Sequence, residues 1–324
     1  MRQRLRLVTA GLIMAAAALP AQAAVTARRL ASGVVLLAGE FAPGHQPDGN
    51  SIVLRGDAGL VVVDTGRHST HSNRILAAAA QLRQPIVAVI NTHWHLDHVS
   101  GNPRLRSAVP GLKVYASNAI DGALKDFLAK SAHDAEAALA AGQVPADLVD
   151  EVRADIATTA NGVALRPDVV VGENQRLKLA GRRIDVHLAH SAVTAGDLWL
   201  IDEQTGTLIA GDLVTLPVPF LDTACPTGWR AALDGISAAR FTRLVPGHGA
   251  VMNRREFETW RQAFGRLMDC TATARREASC SEGWAQDLGT LLPASEQRRA
   301  AQMAQYYVRQ LRAQAGRNPN CNLV

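Results

Sequence analysis

Cysteine is sparse and poorly spaced for a metal. The 324 residues hold four, at Cys225, Cys270, Cys280 and Cys321, and no pair has the short spacing of a zinc knuckle. A closed structural zinc site is thereby disfavoured. Aromatic residues make up only 4% of the chain. No stripe of Lys and Arg interleaves with them, so nothing points to nucleic acid. No Gly/Pro-rich linker, internal repeat or low-complexity tract divides the chain beyond Ala-rich helices. After the first twenty residues no apolar run is long enough to span a bilayer.

The first residues read as a secretory signal. Arg2, Arg4 and Arg6 precede an apolar run from Leu7 to Pro20, and Ala21-Gln22-Ala23 supplies small residues for cleavage. The expectation is a leader over 1–23 and one domain over 24–324, periplasmic or secreted and without stable membrane insertion. Loss of three arginines and no acid lowers the net charge from +5 to +2. An oxidising compartment permits disulfides. Cys270 with Cys280 closes a short loop between two helices, which leaves Cys225 with Cys321.

Residues 92–102 read Thr-His-Trp-His-Leu-Asp-His-Val-Ser-Gly-Asn. His93, His95, Asp97 and His98 follow the apolar run Pro85–Ile90, a buried strand. Imidazoles and carboxylates are ligands for a borderline divalent ion such as zinc. Two histidines one residue apart can reach one ion, and an Asp-His pair beyond them can face another. A ligand set without thiolate suggests an open, catalytic site.

Short strands are expected at 33–37, 51–55, 60–64, 86–90 and 113–116, with a helix near 70–82. From 119 to 160 the spacing turns helical, broken near Gly142 and Pro145. This insertion is taken as a surface element by default, a lid or wall near the site being the other reading. Strands return at 168–171, 176–179, 183–188, 198–202, 207–210 and 243–245. Helices are expected at 228–239 and 254–274, and a helical extension from about 276. Two strand clusters with helices and no linker fit one domain of two packed sheets.

Three further polar residues stand at strand ends close to glycine: Asp64 in Asp64-Thr65-Gly66, Asp212 after Gly211, and His248 between Gly247 and Gly249. Glycine allows the close backbone approach that a site on a sheet rim needs.

The ordered set His93-x-His95-x-Asp97-His98, Asp212 and His248, with Asp64-Thr65-Gly66 and Asn50-Ser51, resembles the metallo-β-lactamase fold superfamily over roughly 34–264. The resemblance implies an α/β fold, an αββα four-layer sandwich, and two zinc ions, with Mn or Fe as other occupants. His93 and His95 would bind the first ion. Asp97, His98 and His248 would bind the second, and Asp212 would bridge them. Asp64 would sit behind the ligands and orient an imidazole or the loop. One departure stands out. The family pattern His-Thr-x-Gly-Asp places histidine where this chain has Val193. His190, three residues earlier, is the expected substitute; His187 is read as a face residue of a strand.

The implied function is an exported zinc-dependent hydrolase of an ester, thioester or lactone in a small-molecule substrate. Bound metal lowers the pKa of water to about 7, and Asp97 is the candidate catalytic residue that orients it and takes its proton. Asp212 argues against the alternative of β-lactam cleavage, because β-lactamases with this first motif generally lack the bridging Asp. Residues 210–222 and Gly228-Trp229 are loosely similar to zinc metallohydrolases of periplasmic quinoprotein and sulfur-oxidation systems. A non-catalytic metal-binding accessory of such a redox system is the second alternative. Oligomeric state is left open.

Overall fold

A computed structural model describes residues 27–42, 44–314 and 317–322; the leader expected over 1–23 lies outside the described residues. Seven strands form the first sheet in chain order: β1 (Arg28–Ala31), β2 (Val34–Leu37), β3 (Ser51–Gly56), β4 (Gly59–Val63), β5 (Ile86–Ile90), β6 (Lys113–Ala116) and β7 (Val169–Val170). Pairing is antiparallel as far as β4 and parallel beyond it. The second sheet holds β8 (Gln175–Leu179), β9 (Arg182–Ala189), β10 (Asp197–Asp202), β11 (Thr207–Thr215) and β12 (Arg243–His248). Its spatial order is β12-β11-β10-β9-β8, and only β11 with β12 runs parallel.

Side chains alternate across a strand with period two, and this sorts the core into layers. Val61 and Val63 of β4 face the second sheet, meeting Val186, Leu198, Leu200 and Ile209. Leu60 and Val62 face the opposite way, onto Ile75 and Ala78 of the helix Ser69–Leu82. The outer face of the second sheet is covered by Trp229 of the helix Pro226–Ala238 and by Phe257, Trp260 and Phe264 of the helix Arg254–Thr271. That arrangement is the expected αββα sandwich. The indoles are also hydrogen-bonded, Trp229 Nε1 donating to Leu213 O and Trp260 Nε1 to Thr215 O, both at 2.9 Å. These bonds satisfy carbonyls of β11 where its pairing with β12 is irregular.

Two expectations need correction. The strand expected at 207–210 continues to Thr215, so Asp212 lies inside β11 rather than at its end. Gly211, at φ 52°, makes the kink that offsets β11 from β12 there. The helical insertion is a wall of a cavity, not a surface element. Its helices Phe127–Ala140 and Val149–Ala160 bury only Leu128 fully, yet Leu128, Val152 and Ile156 line the cavity over the site. Beyond residue 276, the helices Glu277–Leu288 and Ala294–Ala313 pack against one another and on Arg254–Thr271. The disulfides Cys225–Cys321 and Cys270–Cys280 tie this extension to the body. Among the described residues, no helix is long and apolar enough to cross a membrane.

Candidate metal centre and its cavity

The ends of β4, β5, β11 and β12 meet on one rim of the sandwich. After β5 the chain turns through Asn91 and Thr92 and presents His93 and His95, both buried. His93 Nε2 and His95 Nδ1 face each other at 2.9 Å. The one-turn helix Leu96–Val99 then brings Asp97 and His98 to the same rim. Asp97 Oδ2 lies 2.9 Å from His248 Nε2. Asp212 stands between the two groups: its Oδ1 is 3.2 Å from His98 Nε2 and 3.5 Å from His248 Nε2, and its Oδ2 is 3.8 Å from His93 Nε2. Two sets of donor atoms result, each contained within 4.8 Å: Asp97, His98, Asp212 and His248, and His93, His95 and Asp212. Gly247 is required beside them, because a Cβ there would strike Asp212 Oδ1.

The donor atoms fit a divalent cation. His98 Nε2 and Asp212 Oδ1 are fully buried without a hydrogen-bond partner. Leaving such groups unsatisfied costs about 1–3 kcal/mol each, and an ion between them removes the cost. The donors are imidazole nitrogen and carboxylate oxygen without sulfur, which suits zinc and also manganese or iron.

Electrostatics point the same way. Burial pushes the Asp97 carboxyl up, but His98 and His248 outweigh it and hold it well below the usual carboxylate range. Asp212 is likewise lowered against burial by His248 and His98. The His98 and His248 imidazoles are raised despite burial, chiefly by Asp212. Burial lowers His93, and lowers His95 to about 4. The acids and the imidazoles of the second set thus each favour the other's charge, as they would favour a cation's. Imidazole must be deprotonated to bind a metal, so affinity is expected to fall as the pH falls.

Asp64 sits directly behind the cluster, at φ 59°. Its carboxylate accepts from Thr92 N (2.7 Å), Thr92 Oγ1 (2.8 Å) and His98 Nδ1 (2.8 Å). A carboxylate facing Nδ1 fixes the proton on that nitrogen and leaves His98 Nε2 bare toward Asp212. Asn tolerates the left-handed backbone but presents only one acceptor oxygen. Asp64→Asn is therefore expected to lower metal affinity about 10- to 100-fold, as read by competition with a chromogenic chelator.

His190 does not join the cluster. It is exposed and lines a separate depression with Asn174, His187 and Gly228. The reason is local. Asp197 accepts from Thr194 N and Thr194 Oγ1 and closes the turn 194–197, and this turn buries Val193 completely. Ser191, at φ 50°, separates that buried turn from His190. His187 lies on the strand face, stacked on Trp199 with ring centroids 3.8 Å apart.

Above the cluster opens a cavity of about 580 Å³. Its walls are mixed: Trp94 and Phe127 (centroids 5.6 Å apart), Phe220 against His95 (4.9 Å), and Met303 and Tyr307 from the C-terminal extension give an apolar share, and Arg67, Glu151 and Asp155 line it as well. The Tyr307 hydroxyl donates to Asp222 at 3.1 Å and holds that extension in place. Glu151 pins the helical insertion to the body. It accepts from Gln46 N (2.9 Å) and pairs with His45 (3.0 Å) and His68 (3.4 Å), while His68 also pairs with Asp48 (2.9 Å). Arg67 bridges Asp155 (2.6 Å) of the insertion and Asp97 (4.0 Å) of the cluster. Sequence reasoning missed these wall residues and Thr92, because none carries a motif; the helical spacing over 119–160 was the one available signal.

The comparisons place this architecture in a class. Residues 46–269 match the family model for the metallo-beta-lactamase superfamily, and the chain belongs to that superfamily and carries a candidate His/Asp metal site. It is 51% identical over 43 residues to a hydroxyacylglutathione hydrolase of Gloeobacter violaceus, a match spanning 13% of this chain and 17% of that relative. Among solved structures, a metallo-beta-lactamase from Pontibacter korlensis is similar at TM-score 0.53 and 19% identity, covering 73% of this chain and 98% of that one. A metallo-beta-lactamase from Pseudomonas aeruginosa in its mono-zinc form gives TM-score 0.54 at 17% identity, over 74% and 95%. At these identities the solved structures establish the fold.

Proposed function

We propose that this protein is a two-ion metallohydrolase that cleaves an ester, thioester or lactone bond in a substrate with an apolar, uncharged body. The observation that carries the reading is Asp212 at the floor of a partly apolar cavity, one oxygen toward each donor set. His93, His95 and Asp212 would hold one ion; Asp97, His98, Asp212 and His248 would hold the other. The ions, zinc by preference, would supply a water acidic enough to lose its proton near neutral pH and would polarise the scissile carbonyl. Asp97, kept ionised by His98 and His248, would orient that water and take its proton. Asp64 would hold His98 in register. Phe220, Trp94 and Phe127 would pack the substrate body and exclude water from the reacting carbon.

The cavity wall argues the substrate class. Its basic groups outside the cluster are Arg67 and His45, each already paired with an acid. A glutathione conjugate brings two carboxylates and would find no unpaired cation among the described residues of the wall to meet them. An apolar acyl chain gains about 0.8 kcal/mol per buried methylene, or roughly fourfold in kcat/KM. The setting we propose is periplasmic or secreted, which the two disulfides support. A place beside a periplasmic redox system rests on the sequence of residues 210–222 and Gly228-Trp229.

The test is a substrate panel with the zinc-loaded protein: acyl thioesters, aryl esters and lactones of increasing chain length, a hydroxyacylglutathione and nitrocefin. The expected result is kcat/KM that climbs about fourfold per methylene until the cavity is filled. Preference for the glutathione thioester or nitrocefin would overturn the substrate class. Metal binding with no turnover on any of them would favour the accessory reading.

A further inference from the structure

We infer that the two ion positions are unequal and that Thr223 is the positioning residue on which the weaker one depends, an inference that rests on the two-ion reading above. The second set offers four protein donors, two of them carboxylates. The first offers three, His93, His95 and the shared Asp212. Among the described residues, no further donor joins this set: Val193 is apolar and buried, and His190 is exposed on another surface. The first ion therefore depends on how well its two imidazoles are aimed.

The hydrogen bonds around His95 fix that aim. His95 Nδ1 faces His93 Nε2 across 2.9 Å, so Nδ1 is the nitrogen turned to the ion and Nε2 points away. Nε2 lies 2.9 Å from Thr223 Oγ1. The same hydroxyl is 2.9 Å from Val193 O. A carbonyl oxygen can only accept, so the Thr223 proton goes to Val193 O. The hydroxyl then has only lone pairs left for His95, and Nε2 must carry the proton. That leaves Nδ1 deprotonated and available as a ligand. Thr223 is itself buried and held firmly, because Cys225 N donates to Ala192 O at 2.8 Å and Cys225 is cross-linked to Cys321. The residue that replaces the family's histidine thus still serves the ion, through its backbone carbonyl and one threonine hydroxyl.

Thr223→Val keeps the shape of the side chain and removes both hydrogen bonds. Thr223→Ser keeps the hydroxyl. The experiment is equilibrium dialysis of metal-free wild type and both variants against zinc, with bound metal counted by mass spectrometry. Cobalt substitution follows the two positions separately in the visible spectrum. Wild type is expected to bind in two steps separated by at least about 10-fold. Thr223→Val should weaken the second step about 10- to 100-fold and leave the first within about twofold, and Thr223→Ser should restore it. Two equal steps in wild type would overturn the inference and leave the two-ion reading standing. So would Thr223→Val shifting both steps alike or neither. Failure of wild type to bind any ion would overturn both.

Discussion

Asp212→Ala is expected to empty the first ion position, to weaken the second and to lower kcat/KM by at least about 10³-fold. Among the described residues, no other belongs to both donor sets. Removing its carboxylate reduces the first set to two imidazoles, too few to hold zinc against solvent. The second set keeps Asp97, His98 and His248 but loses the negative charge nearest His98. Metal content and hydrolysis should therefore fall together. Asp212→Asn, which keeps one oxygen, should retain part of the metal in the second set and lose the first. An Asp212→Ala protein that keeps two ions and full turnover would refute the bridging role.

The largest expected effect on stability lies elsewhere, at Arg182. This side chain is 3% exposed and its partner Asp202 is fully buried. Nη1 of Arg182 reaches both carboxylate oxygens of Asp202, at 3.1 and 3.0 Å. Its Nε donates to Arg55 O in β3 and its Nη2 to Ser32 O. One guanidinium thus joins the first sheet to the second at the end of the sandwich remote from the metal cluster. Arg182→Met leaves the Asp202 carboxylate buried without a counter-charge and should cost about 3–5 kcal/mol, read as a lower midpoint in urea with an unchanged slope. Arg182→Met combined with Asp202→Leu should recover most of that loss, since removing both charges is far less costly than removing one. Equal instability in the single and double variants would show that the guanidinium acts by packing rather than by charge.

Much of this molecule is legible in its sequence, for definite physical reasons. The sandwich follows from short, continuous apolar runs in β3, β4 and β10 and from the apolar alternation of β9, together with helices between and after them. The cluster follows from residue chemistry at close spacing: His93, His95, Asp97 and His98 share six positions, and short spacing restricts where their side chains can go. Asp212 and His248 are recognisable because glycines beside them permit close approach to the rim. What was not legible depends on long-range geometry. His190 is the natural substitute for a missing histidine by distance along the chain, but a turn closed by Asp197 buries Val193 instead. Thr223 lies 128 residues from His95 and resembles any other loop threonine. The helical insertion shows its spacing in the sequence, but its place over the site is set by Glu151 and Asp155 meeting His45, His68 and Arg67. None of those pairings leaves a local signature.

If the buried His/Asp cluster is the metal centre at which hydrolysis occurs, metal content and turnover must rise together. The most direct measurement is a zinc titration of the chelator-stripped protein, following bound metal and the hydrolysis of an apolar acyl thioester in the same samples. The expected result is no turnover without metal, partial or no activity at one ion per chain, and full activity only as the second ion binds. Undiminished hydrolysis by the metal-free protein would contradict it.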